Sequence, residues 1–261
     1  MSKRLVLAAI VGFDLAFLAP TLLVLIASFT AGAIIDFPPD GLSLRWYGAL
    51  LEQPAFTAAF WRSLEVALIC TAISLPAGTL AAVALARYRL RFATTLQVYL
   101  LLPFTIPLIV SSIGMMLVFG ELRVLGELWP VGIAACVIDL PFMIWAVSAS
   151  VNALDPDLEH AAANCGAPPL ASFFTVTLPA VMPGVITGSL IMFILTFNEF
   201  IVSLLLTDAR IATLPVLIYN SIRSILTPDL AAVSVVYIVI ALAAIWLLDR
   251  LVGLDVFPRS R

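Results

Sequence analysis

Charge is scarce in this sequence. Charged residues occupy 11% of its 261 positions and apolar residues 63%, whereas a soluble domain carries about a quarter charged. A globule of this length has no interior large enough to hide so much apolar surface from water, so its solvent is largely lipid. Lysine is nearly absent, with Lys3 the only one. A phosphate-binding loop of the kind that ends in lysine is therefore excluded from the body of the chain. The net charge of -3 leaves no basic field for nucleic acid. One histidine, His160, and three scattered cysteines, Cys70, Cys136 and Cys165, supply neither a His/Cys zinc site nor a disulfide framework. Clustered nucleophiles and bases are missing too, which leaves a membrane-enzyme reading without a constellation to stand on.

What is present is a series of long apolar runs. Six of them reach the roughly 20 residues needed to cross a bilayer. They fall at about 5–29, 64–85, 96–119, 131–151, 178–206 and 231–248. Length and the absence of strict alternation predict helices rather than barrel strands. The first run is too long for a signal-peptide core and is expected to stay as an uncleaved helix. With six spans the termini share a side with the loops after spans two and four. That side holds eight basic residues against five opposite, including the compact Arg87-Tyr88-Arg89-Leu90-Arg91, which predicts cytoplasmic termini. Outside the membrane, Phe37-Pro38-Pro39-Asp40-Gly41 reads as a turn, Trp46-Tyr47 as an interfacial aromatic pair, and 214–225 as a short interfacial or re-entrant stretch.

The inner segment 152–177 does not read as a tether. Asp155-Pro156 is a helix start, since the carboxylate caps free amides and proline suits the first position. Asp157 and Glu159 place negative charge in the first turn, alanines 161–163 propagate the helix, and Gly166 stops it with a left-handed cap. Pro168-Pro169 starts a second short helix leading into the fifth span. Such punctuation predicts a docking element for a cytoplasmic protein.

Here the spacing resembles the EAA loop of permease subunits of binding-protein-dependent ABC importers: Glu-Ala-Ala, three residues, Gly, nine residues, Ile-x-Leu-Pro. Ala161, Ala162, Gly166, Val176, Leu178 and Pro179 occupy the matching positions. His160 stands where the motif has glutamate, and Glu159 precedes it. Segments 37–47, 86–89, 140–142 and 197–203 are similar to the spermidine/putrescine PotC group. The resemblance implies an all-α integral membrane protein, six transmembrane helices with a cytoplasmic coupling helix, the type I ABC importer permease fold, in a bacterial inner membrane. It implies coupling to an ATPase through Glu159, His160, Ala161, Ala162 and Gly166. It also implies two ATPase subunits holding ATP and magnesium, a second PotB-like permease and a periplasmic solute-binding protein, with no cofactor bound by this chain itself. The cargo implied is a small organic solute, a polyamine first, with opines or aminophosphonates as alternatives. A secondary carrier is the rival, but no repeat relates the two halves.

Ionisable residues inside spans are costly to insert, by about 2.5–3.5 kcal/mol at the centre, and so call for an explanation. Asp14, Glu65, Asp139 and Glu199 fall in the expected spans. Glu65 has Arg62 nearby as an ordinary partner. Glu199, beside Asn198, lies in the fifth span, which lines the pathway in the family. For Asp139 and Glu199 two readings stand, groups on a substrate pathway or hydrogen-bonded structural acids.

Overall fold

Apolar runs without period-two alternation have one way to satisfy their backbone in lipid, which is to coil into helices. The computed structural model describes residues 3–34, 38–39, 41–88, 91–100, 102–208, 210–224 and 228–252. Among them no strand occurs, and a single bridge pairs Thr30 with Leu42. The helices are α1 (Lys3–Ser28), α2 (Arg45–Glu52), α3 (Pro54–Arg87), α4 (Ala93–Leu100), α5 (Leu102–Thr105), α6 (Leu108–Glu121) and α7 (Leu128–Ala153). After them come α8 (Asp157–Asn164), α9 (Pro169–Ser172), a π turn (Phe173–Thr177), α10 (Leu178–Phe197), α11 (Ile201–Leu206), α12 (Leu214–Ser224) and α13 (Pro228–Val252). Phe37, Asp40, Arg89, Ile225, Arg259 and Arg261 lie outside the described residues.

Among the described residues three helical stretches are long and apolar enough to cross a membrane: Pro54–Arg87, Leu128–Ala153 and Pro169–Phe197. Shorter apolar helices, Gly12–Ser28, Leu108–Glu121 and Pro228–Ile240, lie in the first, third and sixth expected spans. Two expected spans are interrupted. The third is interrupted between Thr105 and Leu108, with Pro107 just before α6. Proline has no N–H to give and crowds the preceding turn, so a straight helix stops there. The fifth begins earlier than hydropathy suggests, at Pro169, and breaks at 198–200 before α11.

The chain forms two compact units. One comprises 1–58 and 217–242, the other 59–216 and 243–261. In the first, the loop after α1 is stitched shut: Ala31 N–H donates to Gly41 O at 3.0 Å and Ser43 N–H to Phe29 O at 2.7 Å. The start of α2 pins this loop. Trp46 Nε1 donates to Thr30 O at 2.9 Å, Arg45 Nη2 donates to Gly32 O at 2.7 Å, and the Arg45 guanidinium lies 4.4 Å from the Trp46 ring centre. Tyr47 shares a 2.7 Å hydrogen bond with Ser28. The aromatic pair expected at the interface is thus also the fastening of the loop.

In the second unit α7 is the central post, with buried residues from Pro130 to Val151. Its neighbours approach through small residues, as they do where lipid offers no hydrophobic drive to bring helices together. A Cβ on Gly184 of α10 would lie 2.5 Å from Ser150 Oγ and 2.7 Å from the Ala146 carbonyl oxygen. Gly78 of α3 and Gly188 of α10 both abut Met143, which is fully buried. Gly184→Ala is therefore expected to destabilise the chain by about 1–3 kcal/mol, because a backbone carbonyl has to move. Gly114→Ala, where nothing lies within 4 Å of the added carbon, is expected to be neutral or slightly stabilising. Thermal unfolding of both variants in detergent checks the pair.

Candidate coupling helix and intramembrane acid pair

The segment expected to dock a partner is folded as its punctuation predicts. The Asp155 carboxylate accepts the Asp157 N–H at 3.0 Å, and the Glu159 and His160 N–H groups donate to Pro156 O at 3.1 and 3.2 Å. At the far end, Gly166 N–H donates to Ala163 O at 2.9 Å and Ala167 N–H to Ala162 O at 3.0 Å. These two reversed bonds satisfy carbonyls that a helix otherwise leaves orphaned. They require Gly166 to be left-handed, and its φ is +85°. Pro168 is extended, and α9 begins at Pro169.

Burial divides the expected coupling residues. No residue of α8 is buried. The side chains of Asp157 and His160 are 88% and 76% exposed and lie 3.4 Å apart, one turn from each other. Ala161 and Gly166 are exposed and Ala162 is half-buried. Leu158, Leu170 and Phe174 add exposed apolar surface. Glu159 faces the other way. Its Oε2 lies 3.2 Å from Arg87 Nε, an ion pair whose angle is outside hydrogen-bond geometry, and its Oε1 accepts the Thr177 hydroxyl at 2.8 Å. The acid next to the motif position is thus occupied within the chain, and the imidazole is offered outward. Arg87 and Thr177 were not legible as its partners. Arg87 read only as part of a basic cluster, and Thr177 as one position inside Val176-Thr177-Leu178-Pro179.

Deeper in the same unit, the two candidate acids lie in one neighbourhood. Asp139 of α7 and Glu199 at the α10–α11 break are close enough for their charges to interact. Cys70 of α3 lies against Cys136 and Thr196 beside them. Glu199 also caps a helix: its Oε1 accepts the Val202 N–H at 2.9 Å and so replaces a backbone partner lost at the break. Asn198 points elsewhere. It is exposed, and its side-chain amide donates to Ile194 O at 2.9 Å. Asp14 and Glu65 are exposed on their helices. Among the described residues no group of three or more His, Cys, Asp or Glu side chains is placed to hold a metal ion.

Residues 74–254 match the family described as binding-protein-dependent transport system inner membrane component. The chain belongs to this family. Putrescine transport system permease protein PotI of Escherichia coli (strain K12) is 29% identical to the permease over 226 residues, which is 83% of this chain and 79% of PotI. Spermidine/putrescine transport system permease protein PotC of the same strain is 26% identical over 227 residues, 87% of this chain and 85% of PotC. In three dimensions the permease is similar to a chain of a bacterial ABC transporter involved in the import of the acidic polysaccharide alginate. The TM-score is 0.75 at 17% identity, over 96% of this chain and 98% of that one. The all-helical permease fold implied by the EAA-like spacing is the one observed.

The left-handed cap generates a direct test. A β-branched side chain at a left-handed position costs about 1–2 kcal/mol, so Gly166→Val is expected to loosen the end of α8. Amide hydrogen exchange at 164–167 should then quicken about 5–30-fold. Unchanged exchange there would show that the cap does not hold the helix.

Proposed function

We propose that this permease is one half of the membrane pathway of an ATP-driven polyamine importer, with six spans and both termini in the cytoplasm. Its α8 docks on one of two ATPase subunits, which hold ATP and magnesium. A second, PotB-like permease completes the pathway, and a periplasmic binding protein delivers the solute. ATP binding closes the ATPase pair, draws the docking helices together and turns the pathway outward; hydrolysis resets it.

The observation that carries the docking role is a helix of eight residues, stopped at both ends by its own hydrogen bonds, that leaves Asp157, Leu158, His160 and Ala161 exposed. A helix built to be rigid with one face left clear suits a partner's cleft. Moving a two-state element from about 1:99 to 99:1 takes about 5.5 kcal/mol of differential binding, and a loose loop would absorb such work by bending. The chain's own lack of a phosphate-loop lysine assigns hydrolysis to another polypeptide.

The polyamine assignment rests on the acid pair together with the putrescine and spermidine named for PotI and PotC. A carboxylate in a poorly polarisable medium is a costly charge, and an ammonium group passing it relieves that cost. Glu199→Gln keeps the oxygen that caps α11 and removes the charge, so it separates the two jobs of this side chain. In proteoliposomes carrying the complete transporter, putrescine uptake by this variant is expected to fall about tenfold or more, the scale of a lost hydrogen bond to a charged group. Uptake kinetics equal to the parent would remove Glu199 from the pathway.

A further inference from the structure

Glu159 is held by three elements at once, and α8 needs such a hold. The helix joins α7 through Leu154–Pro156, where Leu154 is extended, and α9 through Gly166–Pro168. No residue of α8 is fully buried, so apolar packing gives it little hold. A cavity of about 310 Å³ lies along its inner side, bordered by Val83, Tyr88, Ala163 and Phe173. Across that gap, polar contacts link α8 to its surroundings.

Arg87 is the last residue of α3, and Thr177 is the last residue of the π turn that feeds α10. Arg87 Nη2 donates to the carbonyl of Leu154, the C-cap of α7, at 2.9 Å, while its Nε lies 3.2 Å from Glu159 Oε2. Thr177 donates to the other Glu159 oxygen at 2.8 Å. Both carboxylate oxygens are therefore engaged, each by a different element. The Arg87 and Glu159 side chains are only 18% and 23% exposed, so water screens this pair less than a surface one. The π turn sets the phase. One extra residue in a helical turn rotates the remainder of the helix by about 100°, and the buried Thr177 faces Glu159 at the end of that turn.

We infer that Arg87, Glu159 and Thr177 form a clasp that makes the coupling helix move as one body with the inner ends of α3, α7 and α10. These are positioning residues. They act by transmitting motion of α8 to the helices that carry Cys70, Asp139 and Glu199. The inference rests on the proposed docking of α8 to an ATPase subunit.

The test uses the complete transporter in proteoliposomes and measures solute taken up per ATP hydrolysed, with co-purification of the ATPase subunit as the measure of assembly. Glu159→Gln and Arg87→Gln are each expected to lower the ratio about fivefold or more, the lower end of typical coupling between sites. The double variant is expected to be no worse than either single one, because both remove the same interaction. Thr177→Val keeps the side chain's outline and removes its donor; it should lower the ratio, and Thr177→Ser should restore it. An unchanged ratio in the single variants, or losses that multiply in the double variant, overturns the clasp while ATP-driven uptake by the parent leaves the docking role standing. Loss of ATPase binding in Thr177→Val also counts against the clasp, since that substitution leaves the outward face of α8 untouched. Uptake by the parent that does not depend on ATP overturns the docking role and the clasp together.

Discussion

Inside a bilayer no water is at hand to complete an unpaired peptide group, so each interruption of a helix must come with its own replacement partner. Much of this molecule is shaped by that constraint. Where α10 stops, the Glu199 carboxylate takes up the Val202 amide and the Asn198 side chain donates to the Ile194 carbonyl. Ahead of α6, the Pro107 carbonyl accepts from Val110 and Ser111. Before α12, the Ser63 hydroxyl accepts the buried Leu214 amide. Polar groups thus stand at these breaks. One of them, Glu199, holds a helix start with its side chain.

The end of the unit near α8 obeys a different rule. There α7 and α10 pack through glycine-sized gaps around Met143, a contact that tolerates no added carbon. A few residues away, α8 is shaped by caps and polar contacts alone. The helices beneath are locked by close packing, whereas α8 keeps its outer face clear. Asp157, His160 and Leu158 stay exposed while Glu159 is drawn inward.

Legibility tracked the range of the interaction. The limits of α8 could be read from Asp155 and Gly166, because a cap is made by residues two to five positions apart. The apolar runs could be read because solvent preference sums along the chain. A helix start at Pro168-Pro169 could be read too, but not its unbroken run into the fifth span, since Ser172, Thr175 and Thr177 lower the local hydropathy while the threonine hydroxyls are satisfied by the chain itself: Thr175 by the Ala171 carbonyl and Thr177 by Glu159. The break at 198–200 was equally hidden, for it contains no proline or glycine. The pairing of Asp139 with Glu199 was open to suspicion as two acids in spans, but 60 positions of sequence separate them.

By itself, the order of residues determined that this chain lives in lipid, that it is helical, that Lys3 is its only lysine, and where the short helix α8 begins and ends. Composition and local hydrogen bonding decide those matters, and neither depends on distant parts of the chain. Only the tertiary structure decided which way Glu159 and His160 face. The phase of a helix about its axis is set by what packs beside it, here Arg87 from 72 positions earlier and Thr177 from 18 positions later.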